Sequence, residues 1–279
     1  MAQPALPPEL HRPIIDFIGH DVVNAEQVMR GVKSKTRETL RACSLVCKAW
    51  HHSALRYIFH NARISMVAGD RGLERNTELF RLIEANPSIR RCIRSAKMYL
   101  EREVSPADVE KVCNAISTVE EFSLALQSPR PNLLRPSLDG LRPILSSQHL
   151  RDMTIWSSHI PLRLVEDAPN LRSVSLPIAN TVDMDHGRDG TWRSSSQLEK
   201  LVVKHGQRIL NQIQTWGERY VGLLAFFDHL KYLEMDLYAD RVDHGSSWAL
   251  LLSHWRRLET LAVRWIVSCT SISIRRFTF

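Results

Sequence analysis

Seven segments of this chain read apolar-x-x-apolar-x-apolar. They are Ile93/Ala96/Met98, Val119/Phe122/Leu124, Leu150/Met153/Ile155, Leu171/Val174/Leu176, Leu198/Leu201/Val203, Leu230/Leu233/Met235 and Leu258/Leu261/Val263. Their first residues are 26, 31, 21, 27, 32 and 28 positions apart. Recurrence at about twenty to fifty residues marks an array of stacked units and constrains the fold before any other feature does. Within each rung the apolar residues alternate, which predicts a short strand with one buried face. Helical or irregular returns are expected at 107–116, 141–145 and 222–227, with Pro129, Pro131, Pro136, Pro143, Pro161, Pro169 and Pro177 as punctuation. Strand-plus-return units stacked in this way predict an α/β solenoid with a parallel sheet on its concave face.

A different pattern precedes the ladder. Leu10, Ile14, Ile15, Phe17 and Ile18 form a helical stripe after Pro7 and Pro8, with Pro13 inside it and Gly19 as its expected end. Residues 20–37 read as a polar loop with one helical turn near 25–30. Thr36 is the expected N-cap of a helix through Leu40, Ala42, Cys43, Leu45, Val46, Cys47, Ala49 and Trp50. Its apolar positions go all the way round, so such a helix must be buried on every side. A unit of about sixty residues has too little mass to cover it alone, and another domain or another protein must supply the missing wall. The expected organisation is a helical module at 1–62, a linker helix at 63–87 (its apolar face Leu73, Leu79, Phe80, Leu82 and Ile83), and the repeat region at 88–279. The apolar end of the chain, 266–279, reads either as truncated rungs or as an edge strand.

The composition is that of an ordinary soluble domain, 44% hydrophobic and 24% charged over 279 residues. No apolar run reaches the roughly 18 residues that span a bilayer, so no membrane role is expected. No secretory leader is evident. Five irregularly spaced cysteines predict free thiols in a reducing compartment, cytoplasmic or nuclear. The net charge of +7 permits nucleic-acid contact without demanding it. The one basic cluster, Arg90, Arg91, Arg94 and Lys97, has no interleaved aromatics and reads as a solvated face.

The N-terminal pattern resembles the F-box, the helical motif that docks on the Skp-family adaptor of cullin-type ubiquitin ligases. The matching residues are Leu6-Pro7-Pro8-Glu9-Leu10, then Ile14 and Ile18, then the run 40–50 ending in Val46-Cys47-Lys48-Ala49-Trp50, with Tyr57-Ile58-Phe59 after it. The wording is most similar to expanded F-box families of mushroom-type fungi. It departs from the family pattern in a long link at 19–38 and in Pro13. The ladder is similar to the leucine-rich repeats common in such proteins, without the Asn or Cys that usually closes the consensus. The resemblance implies a small F-box-like module and an irregular leucine-rich-repeat solenoid, acting together as the substrate-recognition subunit of a ubiquitin ligase. It implies adaptor contact through Leu6, Pro7, Leu10, Ile14, Leu40, Leu45, Val46 and Trp50, with the cullin reached through the adaptor. No enzyme activity and no cofactor are implied. A ligase-independent repeat scaffold is the alternative, and a nucleic-acid-binding solenoid rests on net charge alone.

Residues out of phase with the core leucines should face away from the core. Thr154, Trp156, Ser175, Val202, Lys204, Tyr232, Glu234, Asp236 and Arg264 share that phase. Of these, Thr154, Trp156, Lys204, Tyr232, Glu234, Asp236 and Arg264 are the candidate substrate-binding residues, because they surround a Trp and a Tyr and aromatics dominate interface hot spots. Other constellations are weak. Cys43, Cys47, His51 and His52 would share a face of one continuous helix, but no second pair stands at metal-ligand spacing. Asp183, Asp185, His186 and Asp189 lack the calcium-loop order and read as a solvated loop over 182–196. No Gly-x-Ser-x-Gly, phosphate loop or His-Glu-x-x-His occurs, and Ser194-Ser195-Ser196 reads as loop.

Overall fold

The computed structural model describes residues 7–24, 30–66, 71–101, 104–126, 138–161, 163–179, 181–183, 198–204, 209, 212, 225–238, 255, 257–267 and 271–278. The fold is mixed α/β, built on a nine-stranded, mostly parallel sheet. In chain order its strands are β1 (Asn61–Met66), β2 (Ser95–Leu100), β3 (Glu121–Leu126), β4 (Asp152–Trp156), β6 (Ser173–Leu176), β8 (Lys200–Val203), β9 (Tyr232–Tyr238), β10 (Thr260–Val267) and β11 (Ser271–Thr278). They lie side by side in that order. Every pairing is parallel except the last, where β11 returns antiparallel to β10. The apolar C-terminal segment is therefore an edge strand. Two short strands missed from the sequence, β5 (His159–Pro161) and β7 (Thr181–Asp183), pair apart from the main sheet.

Every residue of the ladder is buried, none more than 9% exposed. Successive rungs pair in one register: Met98 with Leu124, Leu124 with Ile155, Val174 with Leu201, Leu201 with Leu233, and Leu233 with Leu261. Side-chain alternation then stacks the apolar residues of all rungs on one face. Helices cover that face. Ile83 of α4 (Arg71–Ala85), Ile89 of α5 (Ser88–Cys92), Val109 and Val112 of α6 (Pro106–Ala115), Ile144 of α7 (Arg142–Leu145) and Leu164 of α8 (Arg163–Glu166) join the strands in one core. The 3-10 turn Ala225–Phe227 adds Phe226 and Phe227, packed edge to face at 4.9 Å. Strand β1 is an eighth rung, Phe59/Ala62/Ile64, and it spans the boundary expected at 62/63.

A backbone column runs beside the rungs. The carbonyl of His60 accepts the N–H groups of Arg94 and Ser95, that of Arg94 accepts Glu120 and Glu121, and that of Glu120 accepts Arg151 and Asp152. Arg151, Arg172, Glu199 and Lys231 continue the same double acceptance to Thr260. Each strand thus starts at a fixed point on its neighbour, with no backbone group wasted there. The column positions are charged from Arg94 onward. Arg94 meets Glu120 at 2.5 Å, and Glu199 lies 3.9 Å from Arg172 and 3.8 Å from Lys231.

Among the described residues three helices precede the sheet: α1 (Pro8–Asn24), α2 (Arg30–Ser44) and α3 (Lys48–Ile58). They enclose a separate small core of Ile15, Leu40, Cys43 and Ala54, with Ile18, Trp50, Tyr57 and Ile58 against it. Three local expectations fail here. Gly19 does not end α1, which accommodates Pro13 and continues to Asn24. A Cβ at Gly19 would stand 2.3 Å from Cγ of Tyr57, so glycine is kept there for the close approach of α3. Helix α2 starts at Arg30, so Thr36 is interior and the loop expected over 20–37 is largely helical. The run 40–50 is two helices, not one. The N–H groups of Leu45 and Val46 bond back to Ala42 and Cys43, Ser44 Oγ donates to the Arg41 carbonyl at 2.7 Å, and Cys47 is extended ahead of α3.

Candidate functional site

The break after Ser44 changes where the apolar side chains go. In one continuous helix Leu45 and Val46 would continue the face of α2. In the turn they project outward, 85% and 66% exposed. On α1, Leu10 and Phe17 lie seven residues apart on the side away from Ile15 and are 46% and 77% exposed. Pro7 is exposed just ahead of α1, and Ile14 is half-buried between Leu10 and Phe17 in the helical stripe. Leu40 is fully buried in the small core, so it holds the module together and cannot meet a partner. Trp50 is half-buried and edge-on to His11, at 5.7 Å between rings. Leu6 lies outside the described residues. Phe17 was legible as the third member of the Leu10, Ile14, Phe17 spacing but was not singled out as a contact residue.

The same break separates Cys43 from Cys47 and His51. Cys43 is buried and Cys47 exposed, while His51 Nδ1 donates to the Ser44 carbonyl at 3.1 Å. The common helical face that a metal half-site would need does not form. Of the acidic loop, Asp183 ends β7, and residues 184–196, with Ser194 to Ser196, lie outside the described residues.

The second site is the sheet face opposite the core. Thr154 pairs with Ser123 and Ser175, and Ser175 with Val202, in one row across the strands. Two groups of larger side chains stand on either side of this row. On β9 and β10, Tyr232 Oη donates to Glu234 Oε2 at 2.8 Å, and Arg264 lies 3.6 Å from Glu234 and 3.7 Å from Asp236. Asp236 is buried by that contact, which ties two strands together. Burial pushes the Tyr232 hydroxyl above its ordinary range, and its bond to the Glu234 carboxylate pushes the same way. Lys204 is exposed just past β8.

On β2 to β4, Trp156 is 37% exposed, and its indole N–H donates to Ser123 Oγ at 3.2 Å. The Lys97 ammonium lies 5.3 Å from the Trp156 ring and 5.2 Å from the Tyr99 ring, within reach of cation–π attraction. Lys97 therefore does not belong to a basic cluster. Arg90 turns to the Asn114 carbonyl and Ser117 Oγ, Arg94 turns to Glu120, and Lys97 goes to the sheet face. The signal for Lys97 and Tyr99 was the alternation phase of the first rung, which the charge cluster obscured.

The chain matches no protein-family model, and no curated protein matches it. Among the described residues no helix is long and apolar enough to cross a membrane.

Proposed function

We propose that the chain is the substrate-recognition subunit of a cullin-type ubiquitin ligase. In this reading the three-helix unit is an F-box that docks on a Skp-family adaptor, and the sheet region is an irregular leucine-rich-repeat solenoid that captures a protein. The observation that carries it is the outward placement of Leu10, Phe17, Leu45 and Val46 on one small helical unit. Isolated exposed apolar residues are common, but four on a unit of three helices are the ordinary signature of an interface. Three of the four stand where the F-box resemblance puts adaptor contacts. Burying them would supply about 1.5–3 kcal/mol each, less the cost of association. The chain itself does no chemistry in this scheme. It holds a captured protein near the charged enzyme and raises its effective concentration.

Co-expression with a Skp-family adaptor tests this. The full chain is expected to retain the adaptor in a pull-down, and Leu10→Asp with Val46→Asp is expected to lose it while keeping the wild-type circular dichroism and melting curve. Adaptor retention by the folded double variant, or none by the wild type, would overturn the docking model and leave a ligase-independent scaffold.

A further inference from the structure

The open sheet face has features that narrow what it can hold. Lys97 and Lys200 each place an ammonium over an aromatic ring, Lys97 against Tyr99 and Trp156 and Lys200 at 5.2 Å from Tyr232. Neither has a carboxylate partner among the described residues, although most charged groups on the neighbouring column are paired. A lysine held on ring faces is pre-positioned, since less side-chain entropy remains to be lost on binding. Between the two stations the floor is made of small side chains. The hydroxyls of Thr154 and Ser175 make no hydrogen bond among the described residues, and both are only half-buried. They are open to the N–H and C=O groups of a chain laid across the strands.

We infer that this face binds an extended acidic segment of a protein, with one carboxylate side chain at Lys97 and a second at Lys200. The inference rests on the reading of this face as the capture surface. In the sheet order Lys97 on β2 and Lys200 on β8 are separated by β3, β4 and β6, and Lys200 stands two residues lower, in register with Ser173, Asp152 and Glu121. Four steps at about 4.8 Å with that offset give roughly 20 Å between them. An extended chain advances about 3.3–3.6 Å per residue, so the span is about six residues. An even spacing also points both acidic side chains to the same side.

Two carboxylates between the two lysines set the path; Glu234 and Asp236, beyond Lys200 on the same face, are engaged by Arg264. Glu121 and Asp152 pair in register, two residues below Ser123 and Thr154. Lys97 leans away from them, toward the rings of the row above. They repel an acidic side chain from the lower row of β3 and β4, so the segment crosses over Ser123, Thr154 and Ser175 and descends to the lower row only at Lys200 on β8. The same pair disfavours a nucleic acid, whose backbone carries a charge at every nucleotide and would bring phosphates beside them.

The test uses the full chain and fluorescence anisotropy at low ionic strength. The probe is a labelled peptide of about twelve glycine and serine residues carrying two glutamates six apart. The comparators are its two-lysine counterpart and a single-stranded oligonucleotide of similar length. The glutamate peptide is expected to bind best. Lys97→Gln and Lys200→Gln should each weaken it about fivefold, while Lys111→Gln on the exposed side of α6 leaves it unchanged. The proposal is overturned if the glutamate peptide fails to bind, if either comparator binds as tightly, or if both glutamine variants bind it like wild type. Adaptor pull-down by the same variants keeps the two readings apart. Retained adaptor with lost peptide confirms a separate capture site. Retained peptide with no adaptor counts against the docking reading alone.

Discussion

Cys113 lies on α6 in the main core, and burial pushes its thiol up to about 12, with the nearby Glu110 charge adding to the effect. An unfolded chain ionises this group near its ordinary value of 9.0. The stability held by the neutral thiol is therefore complete below pH 9 and is lost as pH rises toward about 12. The denaturant midpoint should fall across that window, and Cys113→Ala should fall less steeply from a lower start. Tyr57, whose hydroxyl donates to Asp16 at 2.9 Å and is also pushed up to about 12 by burial and that bond, accounts for part of what remains. An equally steep fall in Cys113→Ala would clear the thiol of any role. At this scale the sequence told inward from outward well along the ladder, where period-two alternation and burial coincide. It was silent on pairing. That position two of each rung of the ladder is charged, running Arg, Glu, Arg, Arg, Glu, Lys, Glu, stands out only once the rungs are superposed in register. Trp156 was legible as outward-facing, but its partners Lys97 and Ser123 are distant in sequence and meet it only through strand order.

An exposed strand edge invites other chains to pair with it, and the β1 edge of this sheet is covered. At β1, α4 lies along the edge and Asn76 is buried there. Its Nδ2 donates to the Ser65 carbonyl at 2.8 Å, and its Oδ1 accepts the Ser65 N–H at 3.4 Å. One side-chain amide thus substitutes for a neighbouring strand. Asn76→Leu should cost about 1–3 kcal/mol in chemical denaturation, because it leaves both Ser65 groups unsatisfied, and it should raise aggregation on heating. A variant as stable and as soluble as wild type would show that the amide is dispensable. Strand β1 is hard to read in the sequence because its rung uses the small Ala62 and begins at Phe59, which also fits the apolar close of the helical module. The break between α2 and α3 was hidden for a related reason. Apolar residues fill 40–50 without interruption, and no Pro or Gly marks the turn, which is made by backbone bonds and Ser44.

For the molecule as a whole, the two cores are separate and carry different duties. The small helical core keeps Leu40 inside and turns Leu45, Val46 and Phe17 out. The large core runs the length of the sheet and is shared by every rung. Phe122, among the largest fully buried side chains, lies near one end of that core on β3. Phe122→Ala should cost about 3–5 kcal/mol by transfer and cavity terms together. Hydrogen exchange in this variant should show faster opening in β2 to β4 than in β9 and β10, since each rung rests chiefly on its neighbours. Uniform acceleration across the sheet would mean that it opens only as one unit.

The double-acceptor column has a bearing on how such a chain can change over generations. From β2 to β10 each strand is keyed to its neighbour at its first residue and the one before it, by main-chain atoms that no substitution but proline removes. What lies between one key and the next is free of that duty, and the intervals range from 21 to 34 residues. Insertions, deletions and wholesale replacement of the returns can then accumulate without moving a rung out of alignment. A lineage carrying this frame could vary its outer surface quickly while the plane that presents Lys97 and Lys200 stays where it is.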